Sequence, residues 1–267
     1  MKILNHFFDF YLRSSIHVAL MILCIYEITV FEYKVDSTLY DRFFIFFSSL
    51  SAYNFVKYFS LLKSNITRLS NNFIGIFFIS IISLICSIGL FFLFNHAEQV
   101  IISIATLFLV FYTIPINSSM MNLRNIRGLK IHIVALCWTL MTLILPIINE
   151  VTDQDFLFWL LVIKRYLWII LAILPFEIAD FNSDSKTLVT LPQVLGIKKT
   201  KIIGYFIFTI ILILVYFGAV EVWLPYITMM IFYLYFLSTS SLAQSAYRNL
   251  FWVEAIPFTG WLLVYFI

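Results

Sequence analysis

Apolar residues form long uninterrupted stretches along the whole chain, and most charged residues lie between these stretches. About twenty apolar residues in helical form cross the hydrocarbon core of a bilayer, so each stretch predicts one transmembrane helix. Nine stretches qualify, namely residues 14–33, 43–62, 73–94, 100–116, 131–148, 156–178, 202–222, 224–242 and 251–267. Little more than Trp223-Leu224-Pro225 separates the seventh from the eighth, which predicts a helical hairpin.

The composition agrees with this pattern, because 63% of the 267 residues are hydrophobic and only 12% are charged. A transmembrane β-barrel would instead show shorter segments in which apolar and polar residues alternate. The fold class is therefore predicted to be all-α, a polytopic membrane protein with nine transmembrane helices. No linker or soluble segment interrupts the array, so residues 1–267 are expected to form a single domain.

The distribution of lysine and arginine predicts the orientation, because cytoplasmic loops carry an excess of both. The N-terminal end and alternate loops contain Lys2, Arg13, Lys63, Arg68, Arg124, Arg127, Lys130, Lys186, Lys198, Lys199, Lys201 and Arg248, whereas the opposite loops contain Lys34 and Arg42. We therefore expect an integral protein of the cell (inner) membrane with a cytoplasmic N-terminus. The formal charge of +3 follows from this bias, so membrane lipid rather than nucleic acid is the expected partner.

Three acidic residues follow the sixth apolar stretch at helical spacing. Glu177, Asp180 and Asp184 stand at positions i, i+3 and i+7, so a continuing helix would present them on one face. Repulsion among clustered carboxylates is relieved by a cation, and Mg²⁺ with a phosphate group is a common one. The cluster predicts a magnesium site at the cytoplasmic membrane edge, and the alternative is a solvated helix end.

The second apolar stretch contains a polar face near its cytoplasmic end. Asn54, Lys57 and Tyr58 share this face at positions i, i+3 and i+4. A lysine within a membrane span is costly without a partner or a cavity, which makes the face a candidate binding site. The alternative is that Lys57 extends to the nearby headgroups.

A basic loop precedes the fifth stretch. Arg124, Arg127 and Lys130 follow one another at three-residue steps after Tyr112. Cations in this arrangement are suited to hold a diphosphate, although each one singly is also typical of ordinary membrane anchoring.

Two adjacent cations, Lys164 and Arg165, lie deep within the sixth stretch. Burying them without acidic partners would be prohibitive, so we expect an ion pair with Glu27, Glu221 or Glu254. The alternative is that these cations line a transport path.

The sequence resembles the UbiA superfamily of intramembrane prenyltransferases. Members of this superfamily have nine helices and two aspartate-rich cytoplasmic motifs. The second motif of that family is Asp-x-x-Asp-x-x-x-Asp followed by Thr-Leu-Pro and a glycine. Glu177, Asp180 and Asp184 occupy its acidic positions, and Thr190-Leu191-Pro192 and Gly196 follow them. The segment Tyr112-Thr113-Ile114-Pro115 is similar to the family's Tyr-Ser-x-Pro element, and Leu129-Lys130-Ile131 is similar to its basic entry to helix five.

The first family motif, Asn-Asp-x-x-Asp-x-x-x-Asp, is retained only in its asparagine. Its positions are occupied here by Asn54, Phe55, Tyr58 and Leu62, so all three acids are absent. Carboxylates bind magnesium as charged oxygen donors, and phenylalanine and leucine provide no such donor. Lys57 is the one charge newly placed at this segment.

The resemblance implies transfer of an isoprenyl group from an isoprenyl diphosphate to an acceptor, with Mg²⁺ as cofactor and with a divergent donor site. Together with the charge pattern, the resemblance gives Asn54, Lys57, Tyr58, Tyr112, Arg127 and Lys130 as the residues expected to bind the diphosphate, and Glu177, Asp180 and Asp184 as those expected to bind the metal. A non-catalytic membrane protein of the same fold that binds an isoprenoid, a quinone or a protein partner is the alternative. The loss of the first motif leaves open whether the protein is an enzyme.

Overall fold

The computed structural model describes residues 2–64, 71–115, 122–126, 128–150, 156–183, 189–217 and 223–266. The α-helices are α1 (Lys2–Arg13), α2 (Ile16–Tyr33), α3 (Leu39–Ser64), α4 (Asn71–Phe91), α5 (His96–Thr113), α6 (Leu129–Thr139), α7 (Leu145–Ile147), α8 (Phe156–Ala179), α9 (Leu191–Phe217), α10 (Trp223–Ser238) and α11 (Ile256–Phe266). Two π-helical turns, Leu140–Ile144 and Arg248–Val253, lead into α7 and α11, and 3-10 turns form at Leu123–Asn125 and Asp180–Asn182.

Seven helical segments in these ranges are long and apolar enough to cross a membrane, namely Ile16–Tyr33, Phe73–Phe91, His96–Thr113, Leu129–Ile147, Phe156–Asn182, Leu191–Phe217 and Arg248–Phe266. Helix α10 is apolar but has only 16 residues. Helix α3 has 26 residues and carries charges within it, among them Arg42 and Lys57. The predicted all-helical, polytopic membrane fold is therefore confirmed, whereas the count of nine spans stays a prediction.

The principal core forms where α8 packs against α6, α9 and α10. Trp168, Leu171 and Leu174 of α8 are at most 1% exposed in this core. Helix α9 approaches closely at Gly204, where an added Cβ would lie 2.3 Å from Leu237 and 2.9 Å from Leu174. Helix α4 is much less covered, with 17% of its apolar window buried, as expected for a helix whose outer face contacts lipid.

The structure corrects two predicted boundaries. The first span does not begin at residue 14, because α1 ends at Arg13 and Ser15 takes a left-handed conformation with φ of 61° before α2 begins. The seventh span begins earlier than residue 202, because α9 already starts at Leu191 and bends at Gly196. Gly196 has φ of 79°, a conformation that residues with a Cβ rarely adopt, which explains the need for glycine after Thr190-Leu191-Pro192.

Candidate functional site

The polar face of α3 contacts the carboxyl end of α1. The amide of Asn54 donates to the Ser14 carbonyl oxygen and to the Ser80 hydroxyl, both at 2.9 Å. The Lys57 ammonium and the Tyr58 hydroxyl both donate to the Arg13 carbonyl oxygen, at 3.1 and 2.7 Å. Three of the six residues predicted to bind a diphosphate therefore converge on main-chain oxygens at the end of α1.

This contact gives a physical reason for the missing acid at one position of the first motif, the one that Tyr58 occupies. The last carbonyl groups of a helix have no partner within the helix and carry partial negative charge, so they favour donors and cations and disfavour carboxylates. The contact also holds the strained Ser15, whose left-handed conformation costs about 1–2 kcal/mol. Asn54, Lys57 and Tyr58 thus fix the turn between α1 and α2.

The acidic segment lies at the carboxyl end of α8. Glu177 is 1% exposed, and its Oε1 atom lies 2.8 Å from the Lys130 ammonium nitrogen. Asp180 begins the 3-10 turn that follows α8 and is exposed. The structure therefore brings Lys130 to Glu177, two residues that the resemblance assigned to different motifs, whereas the predicted ligands Asp184 and Arg127 lie outside the described residues.

Two amide side chains position the acidic segment, and sequence reasoning did not identify them. The Asn249 and Gln244 amides donate to the carbonyl oxygen of Pro175, at 3.0 and 3.3 Å. Asn249 is 4% exposed and lies in the π-helical turn before α11. Pro175 precedes Glu177 by two residues, so these bonds fix the end of α8 to the last helical segment. A π-helical turn has no recognised sequence pattern. Nothing in the sequence therefore marks Asn249 as a buried residue in such a turn.

The remaining site residue, Tyr112, lies at the carboxyl end of α5 and is 5% exposed. The next residue, Thr113, accepts a hydrogen bond through its carbonyl oxygen from the Asn122 amide at 3.1 Å. This bond holds the basic loop against the end of α5. The roles of Tyr112 and Lys130 in diphosphate binding stay predictions.

The described residues include two of the three predicted magnesium ligands, Glu177 and Asp180, and the third, Asp184, lies outside them. No group of three His, Cys, Asp or Glu side chains with metal-binding geometry occurs in the part of the chain that the structure describes. Glu177 Oε1 is engaged by Lys130, so a metal would have to compete with an ammonium group for this oxygen. Magnesium needs near-octahedral oxygen ligation, and the α3 side contributes an amide and a phenol that already donate to main-chain oxygens.

The opposite end of the bundle contains the deep cations. Lys164 pairs with Glu32 at 3.1 Å, which confirms an ion pair but corrects the partner, since Glu27, Glu221 and Glu254 were the expected acids. Glu32 lies in the last turn of α2, which ends at Tyr33, and it was not among the acids considered. Glu27 instead pairs with Arg42 at 2.6 Å. Arg165 bonds to no carboxylate among the residues placed by the structure.

The fold and these buried charges define an all-helical, polytopic membrane protein with polar clusters at both ends of its helical bundle. No family model and no curated protein matches the sequence. Solved structures of a UbiA homologue from Archaeoglobus fulgidus, however, match 96% of this chain.

The structure of that homologue without a named ligand has 14% identity and a TM-score of 0.64, with 98% of its own chain covered. The structure bound to GPP and Mg²⁺ has 13% identity, a TM-score of 0.61 and 98% coverage, and the one bound to DMAPP and Mg²⁺ has 13% identity, a TM-score of 0.57 and 99% coverage. The chain therefore has the UbiA fold, as the sequence motifs predicted.

Proposed function

We propose that this protein binds an isoprenyl diphosphate at the end of the bundle formed by Lys130 and the acidic end of α8, and transfers the isoprenyl group to an acceptor. In this proposal residues 1–267 act as one transmembrane domain, and the bound headgroup faces the cytoplasm. The UbiA homologue that shares the fold has been solved with GPP and with DMAPP, which supports an isoprenoid substrate.

The observation that carries the proposal is the contact between Lys130 and Glu177 at 2.8 Å. Each residue comes from a separate segment that suggested the family, one at the entry to α6 and one at the end of α8. A headgroup site built from both segments requires these two residues to lie close together in the fold, as they do. Lys130 is partly accessible, with 17% of its side chain exposed, so an anionic headgroup can reach it.

In the proposed reaction the allylic C–O bond breaks, and its electron pair leaves with the diphosphate. The acceptor then forms the new bond to the isoprenyl carbon and loses a proton. Lys130 would stabilise the charge that develops on the leaving diphosphate. The apolar helices would hold the isoprenyl chain and exclude water from the carbocation.

The assignment of Glu177, Asp180 and Asp184 as Mg²⁺ ligands stays a prediction, and no step of the proposal depends on it. In the proposal the Lys130 ammonium, which pairs with Glu177 at 2.8 Å, is shared between this carboxylate and the bound diphosphate. Asn54, Lys57 and Tyr58 would reach a headgroup only by releasing the Arg13 and Ser14 carbonyl groups. A direct role for these three residues in headgroup binding stays a prediction.

The experiment is to measure diphosphate release from GPP by the protein in lipid nanodiscs that contain an extract of membrane quinones and phenols as acceptors. Release should require the acceptor extract, and the double variant Lys130→Met with Glu177→Gln should lose it. Lys199→Met, which removes an exposed lysine of α9, is the control and should retain the activity. Parallel reactions with Mg²⁺ and with EDTA test the metal assignment separately.

A second candidate, a non-catalytic protein that binds an isoprenoid, a quinone or a partner, has support from the α3 contact. The polar face that corresponds to the first motif contacts the end of α1. Lys57 and Tyr58 on this face therefore hold the turn after α1 through the Arg13 carbonyl oxygen. Binding of GPP without diphosphate release under any condition would favour this candidate.

A further inference from the structure

A groove of about 490 Å³ opens between α9 and α10. Its lining side chains are Tyr205 of α9 and Ile231, Leu234, Tyr235 and Ser238 of α10. Ile231 and Tyr235 are 56% and 59% exposed, and only 22% of the apolar window of α9 is buried, so the groove faces the bilayer. From Ile231 to Ser238 it follows α10 for about 10 Å along the helix axis.

The ammonium group of Lys201 lies at one end of this groove. Lys201 precedes Tyr205 by four residues on α9, so the two side chains share one face of the helix. The Lys201 Nζ atom donates to the Ser238 carbonyl oxygen at 2.7 Å, and Ser238 itself lines the groove. An ammonium group has three donors, and this bond uses one of them among the described residues.

Arg248 approaches the same end of α10 from the π-helical turn before α11. Its guanidinium donates to the Phe236 carbonyl oxygen at 3.2 Å and to the Thr239 hydroxyl. It also donates to the Gln244 amide oxygen, and the Gln244 nitrogen donates in turn to the Pro175 carbonyl oxygen. Because Pro175 lies near the carboxyl end of α8, the two cations lie at the bundle end that we expect to be cytoplasmic.

The positive charge at this end of the groove is only partly compensated. Lys201 and Arg248 lie within electrostatic range of each other, and in the described part of the chain both donate only to uncharged oxygens. The carboxyl end of a helix carries about half a negative charge, so α10 offsets about a quarter of the two positive charges. Repulsion between neighbouring cations favours an anion beside them.

We propose that the groove between α9 and α10 binds an anionic phospholipid of the surrounding bilayer. One acyl chain lies against the apolar and aromatic side chains of the groove, and the phosphate accepts hydrogen bonds from Lys201 in the field of Arg248. A zwitterionic headgroup carries its own cation, so it leaves the charge of these two residues uncompensated. Basic sites between membrane helices on the cytoplasmic side bind anionic headgroups for this electrostatic reason.

The test is native mass spectrometry of the full chain in detergent, titrated with phosphatidylglycerol and with phosphatidylcholine of the same acyl chains. The first phosphatidylglycerol should bind about 10- to 25-fold more tightly than phosphatidylcholine, because each nearby cation contributes about a fivefold preference. Inorganic phosphate should not displace the lipid, because it has no acyl chain for the groove. Equal affinity for the two lipids, or displacement by inorganic phosphate, would overturn the proposal.

Variants at the groove separate a specific site from general attraction of anionic lipid. Lys201→Gln keeps a donor for the Ser238 carbonyl oxygen but removes the charge, so the preference for phosphatidylglycerol should fall about fivefold. Lys199→Gln removes an exposed lysine of the same helix and should leave the preference unchanged. Leu234→Trp fills the groove and should weaken binding of phosphatidylglycerol although both cations remain. An equal loss in Lys199→Gln and Lys201→Gln would mean that the site is wrong.

A last variant separates this site from the proposed headgroup site. The double variant Lys130→Met with Glu177→Gln should keep the full preference for phosphatidylglycerol, because neither residue lines the groove. Loss of the preference in this double variant would overturn the proposal, because the lipid would then bind at Lys130. Failure of the lipid site leaves the proposed transferase activity unaffected, since that activity is measured by diphosphate release.

Discussion

The Lys130 ammonium nitrogen lies 2.8 Å from Glu177 Oε1, and this contact joins the start of α6 to the end of α8. Glu177 is 1% exposed, so its charge depends on internal compensation. Lys130→Met should therefore destabilise the protein by about 2–4 kcal/mol, because removing one partner of a buried pair leaves a poorly compensated charge.

Adding Glu177→Gln to Lys130→Met should restore most of this loss, because the double variant no longer buries an unbalanced charge. The measurement is denaturant unfolding of the parent, both single variants and the double variant as a double-mutant cycle. Additive effects of the two substitutions would contradict a direct pair.

The contact between α3 and α1 predicts a charge preference at position 57. Lys57→Asp should destabilise the turn between α1 and α2, because a carboxylate would face the Arg13 carbonyl oxygen, whereas Lys57→Arg should be tolerated. Limited proteolysis should cut Lys57→Asp near Ser14 and Ser15 faster than the parent or Lys199→Asp. Equal cleavage rates would mean that the Lys57 contact does not hold α1.

The amide bonds to Pro175 predict unequal roles for two neighbouring side chains. Asn249→Leu should lower the free energy of unfolding by about 1–3 kcal/mol, because it removes a buried hydrogen bond to the Pro175 carbonyl oxygen. Gln244→Leu should cost less, since the Gln244 bond is longer, at 3.3 Å, and only partly buried. Denaturant unfolding of the two variants checks the order, and a larger loss for Gln244→Leu would contradict it.

The close approach of α9 to the core predicts that Gly204 tolerates no side chain. Gly204→Ala should destabilise the bundle by about 1–3 kcal/mol, because the new Cβ would overlap Leu237 and Leu174. Gly89→Ala is the matched control, since nothing lies within 4 Å of a Cβ at that position, and it should be neutral or stabilising. Thermal melts of both variants in one detergent provide the comparison, and equal melting temperatures would refute the predicted overlap.

The sequence predicted the fold because lipid-facing helices must be apolar over a fixed length, and this requirement is visible in every apolar stretch. The motif included Gly196, but its positive φ is known only from the structure. The partner of Lys164 was predicted wrongly because Glu32 lies at the end of a helix. At such an end, a shift of two or three residues along the chain changes a side chain from buried to exposed.

The contacts of the candidate site were harder to predict for a different reason. Asn54, Lys57 and Tyr58 were correctly grouped on one face, because helical spacing determines which residues are neighbours. Their partners, the Arg13 and Ser14 carbonyl groups, are main-chain atoms at a helix end, and no residue type marks them in a sequence. The Asn249 bond to Pro175 likewise depends on a π-helical turn that only the packed structure reveals.

The central claim is that the Lys130 end of the bundle binds the headgroup of an isoprenyl diphosphate. The most direct measurement is calorimetric titration of the purified protein with GPP, and with the corresponding alcohol as a control for the apolar chain. The parent should bind GPP more tightly than the alcohol, and the double variant Lys130→Met with Glu177→Gln should bind the two equally. Equal binding of GPP and the alcohol by the parent, or an unchanged preference for GPP in the double variant, would contradict the account.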